Sequence, residues 1–310
     1  MTAVPTGRFA PSPTGRMHLG NVFSALLSWL SVRSQGGRWL LRIEDIDRDR
    51  SRKEFAELLM RDLEWLGLPW DGEPVWQSER GDIYKHYYDV LQGRGLVYPC
   101  YCTRHDLLAT QAPHESDGRV VYKGTCRSLR GVAPVDKPAS MRLMVNDEVI
   151  SFCDGHYGEQ SVDMQRQVGD FIIRRRDGAW AYQLVVVIDD ALMGVTEVVR
   201  GRDLLLSSPQ QMYVARLLDF PMPRFVHLPL LCNADGQRLS KRDKSLDLGA
   251  LREEHGSEEI IGALAYLANI IPEPVPMTAE RLIPLFNWER VPRENILVKS
   301  DIHRLLRLTV

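Results

Sequence analysis

The chain opens on a short apolar run, a polar turn and an amphipathic stretch. Gly7 to Ala10 read as the start of a buried strand. Pro11-Ser12-Pro13-Thr14-Gly15 cannot be helical and reads as a turn. From Leu19 to Arg33, the apolar residues Val22, Leu26, Trp29 and Leu30 recur at helical spacing, and Gly36-Gly37 ends that helix. Trp39 to Ile43 is strand-like again. Strand, helix and strand in this order predict a βαβ unit, and hence a parallel sheet.

Residues 52–66 and 79–93 predict two further amphipathic helices. Residues 98–126 are rich in turn formers and carry a group of cysteines. Met141 to Val145 and Val149 to Phe152 read as short strands. The run 182–188, YQLVVVI, reads as a buried strand, followed by a helix from Ser207 to Leu218 and a strand from Phe225 to Leu231. From about residue 246 the pattern is helical to the end, with Ile260, Ile261, Leu264 and Leu267, then Ile302, Leu305 and Leu306. The order predicts an α/β fold, a doubly wound sheet split by an insertion. The expected division is 1–97 for its first half, 98–180 for an inserted subdomain, 181–245 for its second half and 246–310 for a small helical region.

Composition narrows the class. The 310 residues are 44% hydrophobic and 26% charged, ordinary for a globular protein. No apolar run approaches a membrane span, and the N-terminus has no basic start followed by an apolar block, so neither membrane insertion nor secretion is expected. A cytoplasmic location follows as an expectation. The net charge of −2 argues against non-specific coating of nucleic acid, which needs many phosphate contacts. Basic clusters at Arg174-Arg175-Arg176, at Arg127 with Arg130, and from Arg238 to Lys244 each read alone as solvated patches. Five cysteines, an odd number, disfavour a disulfide framework. Cys153 and Cys232 lie in apolar surroundings and are expected to be core thiols.

Two strings point to chemistry. In the first, Arg8-Phe9-Ala10-Pro11-Ser12-Pro13-Thr14-Gly15 is followed by His18-Leu19-Gly20-Asn21 at a helix start. Free N–H groups and the helix dipole there favour an anion, and His18 can donate to a phosphate oxygen. The second is Arg238-Leu239-Ser240-Lys241-Arg242, in a loop after the strand at 225–231. Lys241 is a flexible point charge suited to a pyrophosphate leaving group. Alone this pentapeptide is a basic surface turn; its meaning comes from pairing with the first string.

Together the strings resemble the two signature loops of glutamyl-tRNA synthetases, class I enzymes. The block from Gly169 to Gln211 is similar to the segment in which that family builds its amino-acid pocket. The resemblance runs from about residue 7 to 245. It implies a class I synthetase Rossmann-like nucleotide-binding domain with a zinc-containing insertion. It implies glutamate binding by Arg8, Phe9, Ala10, Pro11, Ser12, Glu44, Tyr182 and Arg200. It implies ATP, with magnesium, as a substrate bound by His18, Gly20, Asn21 and Lys241, with His18 and Lys241 as the catalytic pair. These residue types suit a dicarboxylic amino acid, since arginines pair with carboxylates and a glutamate pairs with the ammonium.

Cys100, Cys102 and Cys126 supply three thiols of a zinc pattern. Spacing alone fits zinc and free thiols equally, with a nearby tyrosine, His105 or His114 as a possible fourth ligand. Within the synthetases, the glutamyl-queuosine tRNA(Asp) synthetases use Cys-x-Cys and Tyr-xxx-Cys, so resemblance to that family implies one structural zinc on Cys100, Cys102, Tyr122 and Cys126. The 65 residues after the Lys241 loop (310 − 245 = 65) leave no room for an ordinary anticodon-reading domain. The expected activity is therefore activation of glutamate and its transfer to the cyclopentenediol of queuosine in the anticodon of tRNA(Asp). The alternatives are a short glutamyl-tRNA synthetase charging the 3′ end of tRNA(Glu), and a non-catalytic RNA-binding paralogue.

Overall fold

In the computed structural model, residues 4–103, 121–128, 137–233, 235–239 and 247–298 are described. Strand β1 (Thr6–Phe9) pairs in parallel with β2 (Arg38–Ile43), with Arg8 opposite Leu40, and β2 pairs in parallel with β3 (Val75–Trp76). Along the other edge of β1 runs β9 (Glu197–Gly201), tied to it by the Thr196 N–H donating to the Thr6 carbonyl at 2.8 Å. Strand β9 pairs in parallel with β10 (Arg224–Leu228). The parallel α/β arrangement expected from the strand–helix–strand pattern is present.

Helix α1 (Leu19–Arg33) lies against this sheet and buries almost its whole length, from Leu19 to Val32. Leu26, Leu27 and Leu30 are fully enclosed, so truncating any one of them to alanine would cost about 3 kcal/mol. Gly7 permits the approach: a Cβ there would lie 2.4 Å from Cγ2 of Val32. The helix ends as its glycines predict, with Gly36 at φ +69. Helix α2 (Lys53–Trp65) adds a layer to the same core, as do the short strand β11 (Leu231–Cys232) and three C-terminal helices. These are α6 (Leu248–Glu254), α7 (Ser257–Leu267) and the single turn α8 (Ala279–Leu282).

A second core joins α3 (Gly81–Gly93), α4 (Tyr182–Leu192) and α5 (Ser208–Leu217) to an antiparallel sheet in the order β4 (Val97–Cys100), β5 (Ser140–Leu143), β8 (Phe171–Arg174). Between β5 and β8 a hairpin, β6 (Val149–Asp154) with β7 (Gly158–Asp163), reaches towards the parallel sheet. The Gly155 N–H donates to the Phe225 carbonyl at 2.8 Å and docks the hairpin tip on β10.

Three expectations are corrected. The run 182–188 is not a strand but the first part of α4. Leu184, Val185, Val186, Val187 and Ile188 are all buried, so the helix shows no polar face from which a period could be read. The strand expected from Phe225 to Leu231 is two strands, β10 and β11, because Pro229 lacks the N–H needed to continue a ladder. The C-terminal stretch is not helical throughout. After α7, prolines at 272, 274 and 276 force irregular chain, and β12 (Ile296–Leu297) then pairs in parallel with β11. Ile302, Leu305 and Leu306 fall outside the described residues. No described helix is long and apolar enough to cross a membrane.

Candidate active site

A cavity of about 500 Å³ opens where the ends of β1, β9 and β10 meet the start of α1. Arg8, Phe9, Ala10, Pro11, Ser12, His18, Gly20, Asn21, Glu44, Tyr182 and Arg200 all line it. The structure thus gathers every site residue named from the sequence except Lys241, which lies outside the described residues, and the four zinc-ligand candidates, which cluster elsewhere.

His18 is the N-cap of α1. Its ring Nδ1 accepts from the Gly20 N–H at 3.1 Å, and its own N–H donates to Oδ1 of Asn21 at 3.1 Å. Neutral His18 therefore carries its proton on Nε2. The Asn21 and Val22 N–H groups both bond to the His18 carbonyl. This modifies the expectation of free N–H groups: an anion here meets the helix dipole and side-chain donors more than a fan of open amides. Two arginines also line this end. Arg238 pairs with Asp203. Arg16 lies 3.8 Å from both Asp62 and Asp247, and its buried Nε has no hydrogen-bond partner among the described residues.

The opposite end is built on buried charge. Asp190, on α4, accepts from Arg42 Nη1 at 2.6 Å and from Arg8 Nε at 3.2 Å. Arg42 also donates to Glu44 at 3.2 Å, and the Glu44 N–H donates to the Pro11 carbonyl at 3.0 Å. Asp189 receives Gln77, Arg80 and the Tyr84 hydroxyl at 2.7 to 2.9 Å. Burial opposes the charge on Arg42, but Asp190, Glu44 and Asp189 outweigh it and hold the group firmly protonated. Burial likewise opposes the Asp190 carboxylate, yet Arg42 and Arg8 depress its pKa below the ordinary value. For Glu44 the balance reverses: burial raises the pKa despite Arg42 and Arg8.

Arg200 differs from these arginines. It is 5% exposed, and among the described residues no carboxylate lies within ion-pair distance. Its close partners are neutral: Gln211 at 2.7 Å on Nη1, Ser208 at 2.8 Å on Nη2 and His227 at 3.1 Å on Nε. Two long contacts remain, one on each terminal nitrogen, to the Tyr182 hydroxyl at 3.4 Å and the Leu204 carbonyl at 3.5 Å. Burial lowers the Arg200 pKa, although a guanidinium stays charged near neutrality. A buried cation without a counter-ion costs several kcal/mol. Here it forms the wall of an open cavity, where an anionic ligand would offset that cost.

The cysteine cluster lies apart, at the end of β4, where Tyr122 bridges to Gly169 just before β8. The Sγ atoms of Cys100, Cys102 and Cys126 fall within 4.8 Å of one another. The Tyr122 hydroxyl is 3.5 Å from Cys100 and 3.8 Å from Cys102, and Cys102 is 3.6 Å from Cys126. A zinc–thiolate bond of about 2.3 Å gives a tetrahedral edge of about 3.8 Å, so the four atoms fit a zinc ion. Tyr122 docks on Gly169, where a Cβ would lie 2.5 Å from the Tyr122 carbonyl. The Arg142 guanidinium sits 3.8 Å from the Tyr122 ring centroid. Without a cation, burial pushes the Cys102 thiol up to about 11 and raises Tyr122 as well. Cys232 is buried as expected, but Cys153 is exposed on the β6–β7 hairpin and is not a core thiol, because its strand presents that face to solvent.

Sequence reading missed Arg42, Asp189, Asp190, Gln211, His227 and Asp154. The available signal was acid placed directly after the apolar run ending at Ile188, since a buried carboxylate demands a cationic partner.

Comparison with known proteins follows the same lines. The family described as tRNA synthetases class I (E and Q), catalytic domain, matches residues 4–265. The chain is 46% identical over 312 residues to the Glutamyl-Q tRNA(Asp) synthetase of Symbiobacterium thermophilum, covering 95% of this chain and 96% of the relative. It is 42% identical over 299 residues to the protein of that name from Neisseria meningitidis serogroup A, covering 94% and 98%. It is also similar to the crystal structure of a glutamate tRNA ligase from Elizabethkingia meningosepticum in complex with its amino acid, with a TM-score of 0.81 and 27% identity over 98% of this chain and 68% of that one. The chain belongs to the class I tRNA synthetase family of the E and Q type, and within it to the Glutamyl-Q tRNA(Asp) synthetases. Its α/β fold is the class I synthetase fold with a Rossmann-like domain.

Proposed function

We propose that the chain activates glutamate with ATP and transfers the glutamyl group to queuosine in the anticodon of tRNA(Asp). The observation that carries the glutamate assignment is Arg200, a buried cation with neutral close partners on the wall of the cavity that Arg8 and Glu44 also line. In this reading Arg200 takes the side-chain carboxylate by a two-point contact on Nη1 and Nη2, displacing the long contacts to Tyr182 and Leu204. Glu44 takes the α-ammonium. Arg8, with its Nε held by Asp190, orients the reacting carboxylate.

The first step joins a carboxylate oxygen of glutamate to the α-phosphorus of ATP and releases pyrophosphate. His18, capped through Nδ1, offers Nε2–H to phosphate oxygens on which charge grows. Arg16 and Arg238 line the same end. Lys241 lies outside the described residues, and its role with the leaving pyrophosphate rests on the resemblance of the sequence Arg238-Leu239-Ser240-Lys241-Arg242. In the second step a hydroxyl of the queuosine cyclopentenediol attacks the glutamyl carbonyl and AMP leaves. The adenylate is already activated, so orientation suffices and no protein nucleophile is required. The acceptor is supported by the names of relatives that match this chain over nearly their whole length.

Zinc, in this reading, is structural. Cys100, Cys102, Cys126 and Tyr122 would hold one ion with four protein ligands, leaving no open position for chemistry.

The deciding experiment is transfer of radiolabelled glutamate to tRNA(Asp) with and without queuosine, with tRNA(Glu) as control. Label should appear only on queuosine-containing tRNA(Asp) and be lost after periodate cleavage of the diol, while a blocked 3′-terminal ribose leaves it intact. Label on the 3′ end of tRNA(Glu) would make this a glutamyl-tRNA synthetase of the ordinary kind.

A further inference from the structure

Behind Arg200, on the side away from the cavity, lies a buried pair that the reaction itself does not use. Arg200 on β9 and His227 on β10 stand opposite each other in the parallel ladder, so both side chains project from one face. His227 is fully enclosed, and so, nearly, is Asp154 at the tip of the β6–β7 hairpin. Asp154 Oδ2 lies 2.6 Å from His227 Nδ1. Its Oδ1 accepts the N–H groups of His156, Tyr157 and His227 at 3.0, 2.9 and 3.2 Å.

The proton positions follow from the partners. Arg200 Nε can only donate, so His227 Nε2 must accept, and the single ring proton sits on Nδ1, facing Asp154. Charges agree with this tautomer. Burial lowers the His227 pKa, with Asp154 opposing and Arg200 assisting. Burial disfavours the Asp154 carboxylate, but the bond from His227 and the backbone donors hold its pKa below the ordinary value. The pair is a carboxylate and a neutral imidazole, polarised so that Nε2 is a stronger acceptor.

We propose that the Asp154–His227 pair is a positioning relay that fixes the plane of the Arg200 guanidinium. It thereby aims the two loosely held donors, one on each terminal nitrogen, at a substrate carboxylate. The inference rests on the reading of this cavity as a glutamate site and deepens it. The guanidinium plane turns about the Cδ–Nε bond, and a hydrogen bond at Nε limits that turn. Gln211 and Ser208 hold one donor of each terminal nitrogen, and His227 holds the third corner. None of the three lines the cavity, whereas Tyr182 and Leu204, which make the long contacts, both do. The hairpin of the inserted segment thus takes part in amino-acid selection without touching the amino acid.

Two variants separate orientation from packing. In His227→Gln the amide oxygen reaches the place of Nε2 and can still accept from Arg200. In His227→Asn the amide reaches only the place of Nδ1 and leaves Arg200 Nε unheld. Glutamate-dependent pyrophosphate exchange by the full chain is the assay. His227→Asn should raise the glutamate KM at least about tenfold, with kcat and the ATP KM within about threefold of wild type, and His227→Gln should keep the glutamate KM within about threefold. Alongside, nitrogen NMR of the wild-type chain labelled at histidine should show His227 protonated on Nδ1 and bare on Nε2 at neutral pH. Equal glutamate KM values for the two variants, or an Nε2–H tautomer, would overturn the relay. Failure of the wild-type chain to exchange with glutamate at all would instead overturn the functional reading.

Discussion

The arginine end of the cavity and the cysteine cluster are both buried groups of polar side chains, yet they are balanced in opposite ways. At the arginine end, Asp189, Asp190 and Glu44 face Arg8, Arg42 and Arg80 within the fold, and among the described residues of that end only Arg200 has no carboxylate within ion-pair distance. At the cluster, three thiols and a phenol face one another, and the Arg142 guanidinium packs on the face of the Tyr122 ring. The first region is preorganised by the protein and lacks one anion. The second could hold a metal ion, and the binding energy of that ion would then count towards the stability of the fold. In the proposed reading, substrate selection and structural support are separable, and each can be disturbed alone.

The sharpest test is at the one unbalanced arginine. Arg200→Ala should lower kcat/KM for glutamate by about a thousandfold, roughly 4 kcal/mol, with the ATP KM nearly unchanged. Arg200→Lys should recover little, because an ammonium cannot meet His227, Gln211 and Ser208 and still present two parallel donors. A loss below about tenfold for the alanine variant would break the claim that Arg200 is the anion site.

Next in size is the balance behind it. Asp190→Asn keeps the shape but strands Arg42 and Arg8, both buried, with one carboxylate fewer. Urea unfolding should show about 3 kcal/mol of lost stability. A loss under about 1 kcal/mol would mean that Glu44 and Asp189 already suffice to balance Arg42.

How far these roles can be read from the chain depends on where their partners lie. Arg8 and His18 sit in the first signature string and Glu44 directly follows the strand read at Trp39 to Ile43, and the first parallel strands and α1 follow directly from apolar spacing. Asp190 pairs with Arg42 across 148 positions, and Asp154 with His227 across 73. Nothing local marks such pairs, because charge compensation depends on the folded neighbourhood rather than on period. Helix α4 is hidden for a related reason. Enclosed on nearly all sides, it offers no polar stripe, and its β-branched valines imitate a strand. Cys153 illustrates the converse: Val149, Ile150 and Phe152 precede it, but alternation along β6 turns it outward.

At the cysteine cluster the expected effect is smaller and falls on a different measurement. Freshly prepared protein should contain about one zinc per chain. Chelation should lower Tm by about 5 °C, corresponding to roughly 2 kcal/mol, while glutamate-dependent pyrophosphate exchange below that temperature persists. Loss of exchange in parallel with metal would merge the two regions that the geometry separates, and an unchanged Tm would remove zinc from the structure.

The gentlest perturbation is pH, acting through Glu44. Its pKa is raised, first by burial, with Arg42 and Arg8 pulling it back and Asp190 adding to the rise. Only the ionised form can pair with the α-ammonium of glutamate. As pH falls through this raised value, the glutamate KM should climb several-fold towards the value for a neutral carboxyl, while kcat stays level. Stability has the opposite sign. A carboxyl whose folded pKa lies above its unfolded one contributes stability that is complete below the unfolded value and is lost as pH rises through the folded one. Acid should therefore weaken glutamate binding at this residue while favouring the empty fold at the same residue. Glu44→Gln should raise KM several-fold at pH 8 and flatten its dependence on pH, because the amide cannot ionise. A glutamate KM that varies with pH equally in wild type and in Glu44→Gln would assign the titration to another group and leave the ammonium without its partner.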